Sequence, residues 1–456
     1  MTNERCISKS KYLAGLQCPK LLWTYYNAKD LIPEPDAATQ AVFDQGHEVG
    51  RLAQSLFPGG TLVEWNDDFG AALQSTRDLL PLRQPIYEAT LAAEGVFARA
   101  DILNPADDGR WDVIEVKSST GVKDVHLDDV AIQRHCYEAA GVPIRRCFLM
   151  HVNNQYVRHG AVDASGLLAS EDVTDAVAPL LPALGDRVVE MQRVIAMEAC
   201  PVVAIGPHCD NPYSCPLKEQ CWAEKWKADA ATVPSGELEC DRSKVREFLD
   251  GLLYPLYLLD FETIATAIPL FDDCRPYQKV PFQFSLHVVE RLETEPRHIS
   301  WLWDGTGDPR SKMFAELRKA IGPNGTVLAY NKSFEERRLN ESAEALPEHA
   351  AWVESLMPRM VDLAFPIRSK AVRHPSLGSH WRLKLVLPLL TERGYDDLAI
   401  GDGNTASAEF LRVMFAETDP TERDAVRKNL EEYCGLDTYG MLDILRKLDV
   451  MSNREG

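Results

Sequence analysis

Residues 100–120 read ADILNPADDGRWDVIEVKSST, and the reading of this stretch decides the fold of the first half of the chain. Residues 98–103, ARADIL, form one expected strand and carry Asp101. In Trp111 to Ser118, Val113, Ile114 and Val116 are apolar and β-branched, the composition of a buried strand. Between them PADDGR supplies Pro, Asp and Gly, the residues that reverse a chain. Glu115 and Lys117 are two apart, so they project from one face of their strand. A closed hairpin brings Asp101 beside them. Two carboxylates and an amine on one edge suit a hard divalent cation, with the ammonium steadying an attacking water or a phosphate. The same three residues also fit a surface hairpin whose charges alternate in solvent.

The next segment bears on that choice. Residues 128–140, DDVAIQRHCYEAA, predict an amphipathic helix on which Gln133 and Tyr137, four apart, share a face. Asp, then Glu-x-Lys, then Gln-x-x-x-Tyr resembles the RecB-type branch of the PD-(D/E)xK nucleases. The resemblance implies that Asp101 and Glu115 bind metal, that Lys117 positions the nucleophile, and that Gln133 and Tyr137 support the site from the helix behind it. Upstream, QGHEVGRLA within the expected helix 38–56 resembles the opening helix of these nucleases. That makes His47 a candidate ligand, with a solvated helix histidine as the alternative. Glu88, in the expected strand PIYEATL, is either a further acid of the site or a surface residue.

Composition bounds the rest. The chain has 456 residues, enough for two or three domains with their own cores. It is 45% hydrophobic and 26% charged, as a globular protein is. No apolar run approaches the roughly 20 residues that span a bilayer, and MTNERCISKSKYL lacks the apolar core of a signal peptide, so a cytoplasmic protein with no membrane partner is expected. The net charge of −20 argues against broad non-specific coating of nucleic acid but leaves room for a local basic groove.

Eleven cysteines in a cytosolic chain point to metal or cluster ligands before disulfides. GPHCDNPYSCPLKEQCW holds Cys209, Cys215 and Cys221, and Cys18 lies at a Cys-Pro break between two expected helices. Zinc is one reading, since thiolates at short spacing suit a tetrahedral ion, but paired CxxC motifs are missing. One Cys before the core and three after it resemble the iron–sulfur RecB-type nucleases, which implies a [4Fe–4S] cluster on these four residues. Cys200 is a spare candidate. The spacing departs from that family, in which two of the last three cysteines usually stand closer together.

Residues 226–245 are small and polar with Pro and Gly, and read as a linker between domains 1–225 and 246–456. Past it, PLYLLDFET is a buried strand ending in Asp260 and Glu262, two apart on one face. NKSFEERRL follows a second strand, and LEEYCGLDTYGMLDIL is a helix with Tyr433 and Asp437 one turn apart. DFE, NxxFE and YxxxD in this order resemble the three motifs of DnaQ-like, DEDDy-type exonucleases on the ribonuclease-H fold. The resemblance implies metal ligation by Asp260, Glu262, Glu335 and Asp437, and orientation of water by Tyr433. Glu335 stands where that family has Asp. Asp362, at another strand end, is a supporting acid or a helix cap. Trp381, Arg382 and Lys384 form either a basic-aromatic spot for a strand end or part of an ordinary helix.

The expected architecture is α/β: a restriction-endonuclease-like domain with an iron–sulfur cluster, then a ribonuclease-H-like exonuclease domain. The implied activity is Mg²⁺- or Mn²⁺-dependent hydrolysis of DNA, at single strands or ends, in repair, recombination or defence. RNA as the polymer, or one degenerate module that only binds, are the alternatives.

Overall fold

The structure, a computed structural model, describes residues 6–65, 68–229, 237–378, 380–415 and 418–453. It is mixed α/β and divides into two compact units. The first comprises Met1–Pro35, Val42–Ala231 and Thr266–Tyr277; the second comprises Asp36–Ala41, Thr232–Ala265 and Gln278–Gly456. Thr266–Tyr277 thus groups with the first unit, although it lies well past the expected linker. Of that linker, residues 226–229 are the end of a helix, 239–240 pair as a strand, the helix Arg242–Asp250 covers the last positions, and 230–236 lie outside the described residues.

The first unit is built on strands β1 (Ile7–Ser8), β2 (Thr61–Leu62), β3 (Ile86–Ala93), β4 (Val96–Pro105), β5 (Trp111–Lys117), β6 (Ile144–Val152) and β7 (Leu168–Asp172). Their order is β2-β3-β4-β5-β6-β7, with β1 parallel to β4. β3 and β4 join through Glu94 and Gly95, both at positive φ (49° and 78°), the backbone of a tight two-residue hairpin. β4 and β5 form the expected hairpin, with Ile102 opposite Ile114 and Leu103 opposite Val113. Helices α1 (Lys9–Gln17), α2 (Pro19–Asn27), α3 (Ala37–Gln54), α4 (Phe69–Leu79) and α5 (Asp124–Ala139) surround the sheet. α5 packs Val130, Ile132 and Tyr137 against Ala98, Ala100 and Val113; Val49 and Ala53 of α3 meet Ile102 and Ile114 of the other face. With both faces covered, Trp111–Glu115 of β5 are buried in an unbroken run rather than in alternation, Asp112 and Glu115 included. β7 pairs antiparallel with β6 at the edge of the sheet.

The second unit holds β8 (Glu239–Cys240), β9 (Leu256–Ile264), β10 (Val280–Val289), β11 (Arg297–Leu302), β12 (Thr326–Ala329), β13 (Met360–Asp362) and β14 (Val372–Arg373). The main sheet runs β11-β10-β9-β12-β13, antiparallel up to β9 and parallel beyond it; β8 pairs with β14. The helices Pro309–Ala320 and Ser333–Ala345 pack on one face through Met313, Phe314, Leu317 and Leu339. The long helix Pro420–Asn453 packs against β9 and β10. Phe282 of β10 is fully buried and stacks on Phe410 with ring centroids 4.1 Å apart. Among the described residues no helix is long and apolar enough to cross a membrane.

On β10 a polar set lies inside the sheet. His287 shares a hydrogen bond with Thr438 (2.8 Å) and stacks on His298 at 4.3 Å. Burial first, and the neighbouring His298 second, hold His287 down to about 4. The folded state therefore binds fewer protons than the unfolded one, whose histidine titrates near about 6.5. Stability is fully present above that pH and falls as pH drops from about 6.5 to about 4, by up to about 1.4 kcal/mol per pH unit. Denaturant midpoints measured across this range should show a shallower loss in His287→Gln. Phe282→Ala should cost about 3–5 kcal/mol in the same measurement, because it opens a cavity under Phe410.

Candidate metal centres

In the first unit the expected residues meet. Asp101 of β4 and Glu115 of β5 lie at the end of the hairpin ladder, where Asp101 Oδ2 accepts the Val116 N–H at 2.6 Å. Glu115 is 1% exposed. Its Oε1 takes Lys117 Nζ at 2.7 Å and Lys9 Nζ at 2.8 Å, and its Oε2 takes Gln133 Nε2 at 2.7 Å. Lys117 also reaches Asp129 Oδ2 at 2.5 Å, and Lys9 stands 4.0 Å from Asp101 Oδ1. Burial acts to raise the Glu115 carboxyl, but Lys117 and Lys9 outweigh it and hold it below the ordinary range. Burial and the Glu115 charge push Asp101 up to about 7.

The two strands are irregular at this point. Ile86 and Ala89 face the same core although they are three apart, and so do Ala100 and Leu103. The alternation slips at Glu88, a non-glycine residue at φ 55°, directly across from Asp101. Strain of that kind is held in place by its surroundings and gathers at working sites. Glu88 is not a free surface residue: Arg99 pairs with it at 3.0 Å, and its carboxyl is raised by burial before Arg99 and Lys9 lower it.

Tyr137 keeps a supporting place, and His47 takes the solvated one of its two alternatives. Tyr137 is fully buried; its hydroxyl donates to the Ala89 carbonyl and accepts the Ala100 N–H at 3.0 Å, so it clamps β3 to β4 and cannot touch a bound polymer. His47 is exposed on α3 and acts on Glu88 only through space. Lys9 and Asp129 went unnoticed in the sequence because their partners lie 106 and 12 residues away.

The four expected cysteines of this unit are free and line one small cavity with Ile205 and His208. Cys18 caps the C-terminus of α1 and leads into α2; the Cys215 N–H donates to the Cys209 carbonyl at 2.8 Å; Cys221 lies on the helix Lys218–Asp229. Gln17 ties the loop down by donating to the carbonyls of His208 (2.8 Å) and Tyr213 (2.7 Å). Among the described residues, the donor triad with all atoms within 4.8 Å is Asp260, Glu262 and Cys434, so no three of these sulfurs are that close. A tetrahedral zinc site with Zn–S bonds of about 2.3 Å needs sulfurs about 3.8 Å apart.

In the second unit Asp260 and Glu262 of β9, Glu335 of the helix Ser333–Ala345, and Tyr433 and Asp437 of the helix Pro420–Asn453 converge. Asp260, Glu262 and Glu335 are each raised well above the carboxylate range by burial first, then by their like-charged neighbours. Burial pushes Asp437 up to about 6, while Tyr395 and Tyr433 donate to it. Lys384, whose ammonium lies 4.8 Å from the Tyr433 ring centre, acts on three of the acids through space. Glu335 Oε2 is buried without a hydrogen-bond partner. Clustered acids, an orphaned oxygen and few cations are a donor set that fits divalent ions. Cys434, 3.6 Å from Asp260, was overlooked in the sequence, as were Tyr395 and Gly403, where a Cβ would come 3.3 Å from Glu262. Position on the helix could have found Cys434, three residues before Asp437.

Asp362 is not a helix cap, since Lys332 and Ala364 hold the N-cap positions of the adjoining helices; it braces the backbone by accepting from the N–H groups of Asn331 (2.9 Å) and Ala364 (3.0 Å) and pairs with Arg368. The Arg368 guanidinium sits over Trp381 at 5.6 Å, and Lys384 donates to the Gly401 carbonyl at 2.5 Å, so this spot is bound up within the unit.

Comparison with known proteins adds relatives without an assigned role. Residues 257–382 match the family described as a domain of unknown function, DUF2779. The "Uncharacterized protein MG366 homolog" of Mycoplasma pneumoniae is 26% identical over 204 residues, and "Uncharacterized protein MG366" of Mycoplasma genitalium 25% over 205. Each match covers 41% of this chain and 31% of the relative, so the chain spans about a third of the length of the curated relatives it matches. The solved structure titled "Crystal structure of SSO0001" aligns with 49% of this chain and 88% of that one, at 16% identity and a TM-score of 0.27. This chain is similar to these proteins over those spans.

Proposed function

We propose that the protein is a metal-dependent nuclease with two carboxylate centres, acting on the phosphodiester backbone of DNA. The observation that carries this reading is the meeting of half-buried Asp260 with buried Glu262, Glu335 and Asp437 from three separate elements, short of cations in contact. Such an arrangement of like charges is costly unless it holds something positive. These four residues would hold Mg²⁺ or Mn²⁺, which supplies an activated water and charge stabilisation for in-line phosphoryl displacement. Tyr433 orients the water beside Asp437. In the first unit Asp101 and Glu115 would hold the ion, and Lys117, fixed between Glu115 and Asp129, positions the nucleophile. Gln133 keeps Glu115 in place, and Tyr137 keeps the β3–β4 backbone in place.

The resemblance of DFE, NxxFE and YxxxD to DEDDy exonucleases supports removal of nucleotides from a 3′ end. That of Asp, Glu-x-Lys and Gln-x-x-x-Tyr supports a PD-(D/E)xK centre. Cys18, Cys209, Cys215 and Cys221, which line one cavity, would hold a [4Fe–4S] cluster; the likeness of one Cys before the core and three after it to the iron–sulfur RecB-type nucleases supports it.

Labelled single-stranded DNA and RNA, incubated with the full chain and Mn²⁺, test the reading. DNA cleavage is expected, and Asp260→Ala should lower it at least about a hundredfold, the scale of losing a positioned catalytic group. No cleavage of either polymer overturns it; cleavage of RNA alone reassigns the substrate. Protein purified without oxygen should be brown and contain iron and acid-labile sulfide, both lost in Cys18→Ala. Colourless protein carrying zinc would replace the cluster.

A further inference from the structure

We propose that Lys9 occupies the cation position of the first carboxylate centre, so that this centre takes a divalent ion far more weakly than the second. The inference rests on the metal-dependent reading above and goes beyond it by ranking the two centres and naming the residue responsible.

Three observations carry it. The first is position. Lys9 Nζ lies 2.8 Å from Glu115 Oε1 and 4.0 Å from Asp101 Oδ1, between the two acids assigned to the metal. The second is saturation. Both Glu115 oxygens are taken, by Lys9 and Lys117 on one side and Gln133 on the other, and Asp101 Oδ2 is engaged by the Val116 N–H. An ion must displace Lys9 to reach them. In the second unit Glu335 Oε2 has no partner to displace. The third is charge. Glu88, Asp101, Glu115 and Asp129 are met by Lys9, Lys117 and Arg99 through contacts at 4.0 Å or less. Asp260, Glu262 and Asp437 are met by Lys384 only through space. The first centre is close to neutral through its own side chains, and the second has no cation in contact that an arriving ion would have to displace.

Lys9 is able to leave. It is the first residue of α1, its side chain is 26% exposed, and its ammonium ends a flexible four-carbon stem. The ion pair is therefore a competitor for the metal rather than a permanent plug.

The full chain carrying Asp260→Asn and Asp437→Asn isolates the first centre, and Mn²⁺ binding is read by calorimetry and by the electron paramagnetic resonance of free Mn²⁺. Against this background Lys9→Met should raise Mn²⁺ affinity at least about tenfold, since it removes a unit charge from within contact distance. Adding Glu115→Gln should abolish the gain. In chelator, Lys9→Met should melt lower than its parent, and Mn²⁺ should restore it more than it stabilises the parent. Lys9→Gln, neutral and hydrogen-bonding, repeats the test if Lys9→Met does not fold. Unchanged or weaker Mn²⁺ binding in a folded Lys9 variant overturns the proposal. If the chain with native Asp260 and Asp437 still binds Mn²⁺ tightly, the second centre's reading survives that result. If no form binds Mn²⁺, both fall together.

Discussion

The first unit depends on one buried carboxylate. Glu115 is inaccessible, yet it holds Lys117 of its own strand, Lys9 of the opening helix and Gln133 of α5. A buried carboxylate is tolerable only with such partners, since an unpaired charge in the interior is expensive. The opening helix, 106 residues away, and the helix that follows β5 are thereby drawn to a single pair of oxygens. α1 passes this constraint on: it begins at Lys9 and ends at Cys18, so one helix has its first residue in the carboxylate centre and its cap in the cysteine pocket.

The second unit answers the opposite problem. Its acids lack close cations, and they lie on a strand and two helices that pack tightly around them. Burial and mutual proximity raise these carboxyls, so that protons lower the charge they would otherwise carry and a divalent ion would take the place of protons. The two centres share a donor chemistry but differ in how much of their charge the protein itself has already neutralised.

Much of this was legible before any coordinates. The β4–β5 hairpin followed from β-branched residues flanking a Pro-Asp-Gly turn, and the strand carrying Asp260 and Glu262 from its apolar run. The Gln133–Tyr137 helix followed from spacing. β7 was missed because residues 168–172 are short, mostly polar and lie at an edge, where only pairing with β6 makes them a strand. The grouping of Thr266–Tyr277 with the first unit was illegible for a related reason: Ala267 is anchored by Gln45, and Tyr277 by the Ser118 carbonyl. These are contacts across long sequence separations.

Residue identity and spacing by themselves determined which side chains could do chemistry: acids two apart on strand ends, a tyrosine and an aspartate one helical turn apart, and four cysteines. Those are local properties, set by the periods of the strand and the helix. Only the tertiary structure decided what each of them faces. It turned Tyr137 inward as a backbone clamp, left His47 in solvent, and drew Glu88 and Lys9 into the centre. The physical reason is that charge and hydrogen bonding act through space. A partner 106 residues away weighs as much as a neighbour once the fold has brought it to 2.8 Å.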